Sequence, residues 1–151
     1  MSVKTLVPVD GSDNSLRAAA YVYRLAEAIG NPEITFLNVV SPLFDEKDDS
    51  VRLYVPGEEL QKIKASRLAQ ARESILEKLR QVTESPGVSP PEEITTIEGE
   101  PATAIVEFAA RGNFDLIVMG ARGLSNLQGM LLGSVSQKVL TLAKCPVLVV
   151  K

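Results

Sequence analysis

The sequence predicts an α/β fold in which a parallel sheet is covered by helices on both faces, and three observations carry that expectation. Short apolar runs alternate with longer segments whose apolar residues recur at helical spacing, the pattern of successive β–α units. The chain has 151 residues, 45% of them hydrophobic and 23% charged, enough for one domain that buries about two-thirds of its unfolded surface. No internal repeat and no change of composition marks a boundary, so residues 1–151 read as a single domain of one β/α layer sandwich.

Each element has its own signal. Val3 to Val9 is the first strand, and Asp10-Gly11-Ser12-Asp13 supplies a turn and several candidate helix caps. The first helix carries Leu16, Ala19, Ala20, Tyr23, Ala26 and Ile29 on one side, with Gly30 just past its end. Glu33 to Val40 is a β-branched second strand. Residues 41 to 57 show no sustained period and hold two prolines and an acidic group (Asp45, Glu46, Asp48, Asp49). They read as a long loop, with a solvated surface preferred over a cation site.

A long helix follows from Glu58 to Thr83, with Leu68, Ala71, Ile75, Leu79 and Val82 on one face, and SPGVSPPEE breaks it. Glu93 to Glu98 is a short third strand. Pro101 suits the first turn of the next helix, which carries Ile105, Val106 and Ala109 and stops before Gly112. Phe114 to Met119 is the fourth strand, Ser134 to Lys144 the last helix, and Pro146 to Val150 the last strand.

Composition excludes several classes of function. A net charge of -3 without a Lys/Arg cluster argues against nucleic acid or an anionic membrane as partner. No apolar run approaches the roughly 18 residues of a membrane span, and the first ten residues read as a strand, so the expected location is the cytoplasm. There is no histidine, which removes His-based triads and His metal sites. The single cysteine, Cys145, forms no internal disulfide and reads as a small buried residue.

The densest signal is GARGLSNLQGMLLGS. Four of the ten glycines (Gly120, Gly123, Gly129, Gly133) fall between the fourth strand and the last helix. In an open parallel sheet, ligands bind beyond the C-terminal strand ends, where successive connections diverge. Glycine permits close backbone approach, and a helix start presents free N–H groups to phosphate. Ser134 can serve as the helix cap or give its hydroxyl to a phosphate, and Ser136 adds a second hydroxyl. Gly129 reads as loop flexibility. A Walker A loop is excluded because Gly133 is followed by Ser134 and the nearest lysine is Lys138. The dinucleotide pattern Gly-x-Gly-x-x-Gly is absent, and Asp10-Gly11-Ser12-Asp13-Asn14-Ser15 lacks the second glycine of a pyrophosphatase loop.

What remains is Gly-x-x-Gly, nine residues, then Gly-Ser: Gly120, Gly123, Gly133 and Ser134. With VPVDGS after the first strand, FDLIVMGARG after the third main helix and CPVLVV at the end, the chain resembles the universal stress protein family, in its nucleotide-binding subgroup. The resemblance covers the whole chain. It implies a three-layer, doubly wound, five-stranded parallel sheet of order 3-2-1-4-5.

It also implies an adenine-nucleotide site for ATP or AMP. Pro8, Val9 and Asp10 would line the adenine and ribose side, Asp10 taking a ribose hydroxyl or holding Mg2+ through water. Val39 would contact the adenine, and Met119, at the end of the fourth strand, belongs to the same nucleotide-binding set. Gly120, Arg122 and Gly123 would wrap ribose or phosphates, Arg122 through charge-assisted hydrogen bonds. Gly133, Ser134, Val135 and Ser136 would hold phosphates at the helix start. Val9 stands where nucleotide-binding members often carry Thr or Ser, so only a backbone contact is expected there.

In that strand order Val147–Val150 is a sheet edge, which invites pairing with a second copy. The expectation is therefore a homodimeric, adenine-nucleotide-binding stress-response module. The alternatives are a slow ATPase or autophosphorylating enzyme, with Ser134 or Ser136 as acceptor, and a nucleotide-independent interaction module. No residue stands out as an efficient general base, so no catalytic residue is assigned.

Overall fold

The computed structural model describes residues 2–30, 32–43, 49–83, 89–124, 129 and 131–151. Five strands, β1 (Lys4–Pro8), β2 (Glu33–Val40), β3 (Thr95–Glu98), β4 (Leu116–Gly120) and β5 (Val147–Val150), form one sheet in the order β3-β2-β1-β4-β5. Every neighbouring pair is parallel, and this is the order that the resemblance implies.

Helices α1 (Asp13–Ile29) and α3 (Gly57–Thr83) cover one face. Their core joins Val7, Ala19, Val22, Phe36, Leu79 and Val118. Helices α4 (Pro101–Arg111) and α5 (Ser134–Leu142) cover the other, around Leu6, Leu37, Ile105, Ile117, Met119 and Val139. Both strand faces are therefore apolar, which is why the strands read as apolar runs rather than as alternating ones.

The caps follow local chemistry. Ser12 caps α1, its Oγ accepting from Ser15 N at 3.3 Å. Gly30 ends that helix in the left-handed conformation (φ 79°) and donates to Ala26 O. Glu100 caps α4, accepting from Thr103 N at 2.8 Å, and Lys138 of α5 reaches the same carboxylate at 3.2 Å.

Element boundaries differ from the sequence expectations in instructive ways. The 41–57 stretch contains a short helix, α2 (Asp49–Tyr54). Its Leu53 and Tyr54 are 80% and 84% exposed, so neither turns to the core, and its 6 residues are too few to give a periodic signal. Asp45, Glu46 and Asp48 lie outside the described residues, and Asp49 opens α2. Residues 85–88 of SPGVSPPEE are also outside them.

Strand β3 begins at Thr95 rather than Glu93, where Leu37 of β2 provides a partner. Phe114 precedes β4 in a turn set by Asn113 (φ 51°), with Phe114 N donating to Ala109 O. Helix α5 stops at Leu142 rather than Lys144, because Ala143 is extended (ψ 141°) and Cys145 precedes Pro146. Among the described residues no helix is long and apolar enough to cross a membrane.

The Thr103 hydroxyl and amide, then Lys138, lower the Glu100 carboxyl from 4.5 to about 2. A carboxylate lowered by folding contributes stability above its unfolded pKa, and that contribution disappears as pH falls through the folded value. In urea melts, Glu100→Gln is expected to flatten the dependence of stability on pH between 4.5 and 2 relative to the parent protein.

Candidate functional site

Strands β1 and β4 lie side by side but stay paired only over Thr5↔Leu116 and Leu6↔Ile117. Beyond that rung their connections leave for opposite faces, β1 into α1 and β4 toward α5. This is the switch point of the sheet, where a crevice must open. A cleft of about 370 Å³ occupies it, within the size range of small-ligand sites.

All twelve residues singled out from the sequence border this cleft. Pro8, Val9 and Asp10 come from the end of β1, and Val39 from the end of β2. Met119 and Gly120 close β4, and Arg122 and Gly123 follow it. Gly133, Ser134, Val135 and Ser136 form the start of α5. Their convergence is a consequence of the strand order.

Six further lining residues were not singled out: Ser15, Leu37, Ser41, Pro101, Ile105 and Leu124. Pro101 and Ile105 read in the sequence as a helix start and core, and only the packing of α4 over the strand ends brings them to the cleft. Leu124 directly follows Gly123 and was the one within reach of the motif.

The turn after β1 is held by its own side chains. Asp10 Oδ1 accepts from Ser12 N at 2.9 Å, Asp10 N donates to Ser15 Oγ at 3.3 Å, and Gly11 takes φ 84° between them. The other carboxylate oxygen, Oδ2, faces Gly123 so closely that a Cβ on Gly123 would lie 2.6 Å from it. Asp10 thus sets a carboxylate beside the glycine loop at the cleft wall.

The opposite wall is stitched to the sheet. Ala121 N donates to Val150 O at 2.9 Å, and Gly133 N donates back to Ala121 O at 2.8 Å. Ser136 is buried, and its Oγ reaches Gly120 O at 3.1 Å and Ala121 O at 2.8 Å. The Ser136 hydroxyl therefore ties α5 to β4, and its proton is engaged there. Ser134 is not the cap. Gly133 occupies that position, with no side-chain cap bond, and Ser134 is exposed at the first helical position.

Helix α5 consequently differs from α1 and α4, whose starts are capped by Ser12 and Glu100. Its first turn contains no acidic residue and opens on the cleft with N–H groups that no side chain of a cap accepts. Among the described residues no group of three or more His, Cys, Asp or Glu side chains forms a metal site.

Residues 1–151 match the universal stress protein family (Usp) along their whole length. The chain belongs to the universal stress protein family. Universal stress protein MJ0531 of Methanocaldococcus jannaschii is 38% identical over 98% of this chain and 81% of its own. Among solved structures, universal stress protein UspA from Lactobacillus plantarum aligns with a TM-score of 0.74 and 26% identity, covering 99% of this chain and 97% of that one. A universal stress protein in complex with cAMP aligns with a TM-score of 0.66 and 30% identity, covering 99% and 97%.

In this universal stress protein the two motif glycines nearest the sheet answer different demands. A Cβ on Gly120 would lie 2.6 Å from the Asn14 carbonyl carbon and 2.8 Å from Ser15 N, all backbone of the first turn of α1. Among the described residues a Cβ on Gly133 would meet nothing nearer than Arg122 Cα at 3.4 Å, and Gly133 has an ordinary φ of -74°. Gly120→Ala is therefore expected to destabilise the protein by about 1–3 kcal/mol through overpacking. Gly133→Ala should change stability by less than that, because the entropy gained by losing a glycine is offset by alanine's poorer fit at a helix cap. Thermal and denaturant melts of the two variants check the contrast.

Proposed function

We propose that this universal stress protein binds an adenine nucleotide, ATP or AMP, and acts in the cytoplasm as a homodimeric stress-response module. The observation that carries the reading is the uncapped start of α5 at the mouth of the switch-point cleft. N–H groups at a helix start, with the helix dipole behind them, suit phosphate oxygens. The fold does not itself demand a glycine at Gly133, so its missing Cβ keeps that wall open to a ligand. The related protein solved with cAMP supports an adenine ring in the same family fold.

The roles divide along the cleft. The apolar end, with Val39, Met119 and Ile105, suits a base. Asp10 suits a ribose hydroxyl, or Mg2+ held through water when ATP is bound. Arg122 and Gly123 face ribose and phosphates, and Ser134 with the amides of Val135 and Ser136 receives the phosphates. Efficient catalysis is not expected, because no side chain among the described residues of the cleft stands out as an efficient general base. In the slow autophosphorylation alternative, Ser134 is the acceptor the geometry favours, since the Ser136 hydroxyl is buried on the β4 carbonyls.

Protein purified without added nucleotide and then denatured should release an adenine nucleotide, or should bind ATP or AMP in calorimetry. Gly133→Ala should weaken that binding about tenfold, or about 1.4 kcal/mol, while remaining folded. ATP turnover should stay below about 1 per second. Failure of both ATP and AMP to bind would overturn the reading.

The dimer rests on the sheet edge. Ile117 N donates to Pro146 O and Ala121 N to Val150 O, so alternate residues of β5 face β4. Val147 and Val149 then turn their peptide groups outward, to the open edge. A dimer mass is expected in light scattering at micromolar concentration, and Val149→Pro, which removes one outward N–H, should give a monomer.

A further inference from the structure

Asn38 is a polar residue in the middle of an apolar strand, 5% exposed. It shares by strand parity the face of Phe36, in the core under α1 and α3. Its Nδ2 donates to Val9 O at 2.8 Å, and its Oδ1 has no hydrogen-bond partner among the described residues. A buried amide oxygen without a partner is costly, and an apolar residue of similar size would avoid that cost. The position of its one hydrogen bond shows what the residue does.

In a parallel ladder, alternate residues present both N–H and C=O to the same neighbour. Leu37 O accepts from Val9 N at 2.8 Å, and Val40 O accepts from Gly99 N at 3.0 Å. Odd-numbered residues here face β1, and even-numbered ones face β3. Val39 therefore faces β1, and the next rung would bring Val39 N–H onto Val9 O and Gly11 N–H onto Val39 O. That rung is not built: the β1–β2 register ends at Pro8↔Leu37. The Val9 carbonyl takes the Asn38 amide instead, and the chain turns away at Gly11 with φ 84°.

We propose that Asn38 is a specificity-determining positioning residue: by occupying the Val9 carbonyl it leaves the Val39 N–H and C=O facing the cleft as a donor–acceptor pair for a purine base. This rests on the nucleotide reading and deepens it. Adenine offers a ring-nitrogen acceptor beside an amino donor, the complement of a peptide N–H and C=O. Hypoxanthine and guanine offer the reverse, a ring N–H beside a carbonyl. Val39 itself supplies only backbone atoms, so no side chain in the sequence announces this selectivity.

The experiment compares ATP with ITP in calorimetry, for the wild type and for Asn38→Leu. The wild type should prefer ATP by about tenfold or more. Asn38→Leu should bring the ratio toward one, as Val39 N–H moves onto the vacated Val9 carbonyl. Its melting temperature should be no lower than the wild type's, because an unpaired buried oxygen is gone.

A folded Asn38→Leu that keeps the wild-type ATP/ITP ratio overturns the proposal. Should that variant fail to fold, amide hydrogen exchange of the wild type decides. Val39 should exchange faster than Leu37 without nucleotide, and ATP should protect it where inorganic tripolyphosphate does not. Equal protection of Val39 and Leu37 in the nucleotide-free protein overturns the proposal. If ATP fails to bind at all, the nucleotide reading falls with it, whereas intact ATP binding with an unprotected Val39 defeats this inference alone.

Discussion

The C-terminal end of the sheet depends on how closely the first turn of α1 approaches the last residue of β4. At Gly120 the backbones of the two elements meet with no room for a Cβ. The carbonyls of Gly120 and Ala121 then become the anchor for α5, through Gly133 N and the Ser136 hydroxyl. Both sides of the crevice are thus set by a few backbone groups near one glycine. Rigid backbone of this kind can hold N–H groups in place for an anion without the entropy cost of ordering long side chains.

The cleft has a polar and an apolar end because its walls come from different layers. The α4–α5 face supplies apolar groups such as Ile105 and Met119. The turns after β1 and β4 supply carboxylate, guanidinium and amides. Where strands separate, backbone groups that a sheet would normally pair are released into the opening. Such groups are satisfied by side chains, as at Val9 O and Gly120 O, or are left for something else to bind, as at the start of α5. On the proposed reading, that unmatched backbone is the recognition surface.

The same logic separates structural from ligand-facing residues within one motif. Gly120 is required by packing against the Asn14 backbone, Gly123 lies against the end of the Asp10 side chain, which can shift, and Gly133 meets neither constraint. Ser136 is a buried tie and Ser134 an exposed first-turn residue. Four matched motif positions therefore do not carry four equal ligand contacts. Part of the pattern serves to hold the helix start against the sheet.

The sequence by itself determined the β–α alternation, the approximate extent of β2 and α3, and the position of the glycine motif between β4 and α5. These are local properties, written in residue spacing and in β-branched or helical preference. The exit of α1 past Gly120, the arrival of Pro101 and Ile105 at the cleft, and the cap at Gly133 rather than Ser134 were decided only by tertiary structure. Helix α2 was missed because neither Leu53 nor Tyr54 faces a core. Asn38 carries no signal in the sequence, because its significance lies in which carbonyl it meets beside another strand. Contacts between elements distant in the chain depend on how strands are ordered and where they part, and no local spacing encodes that.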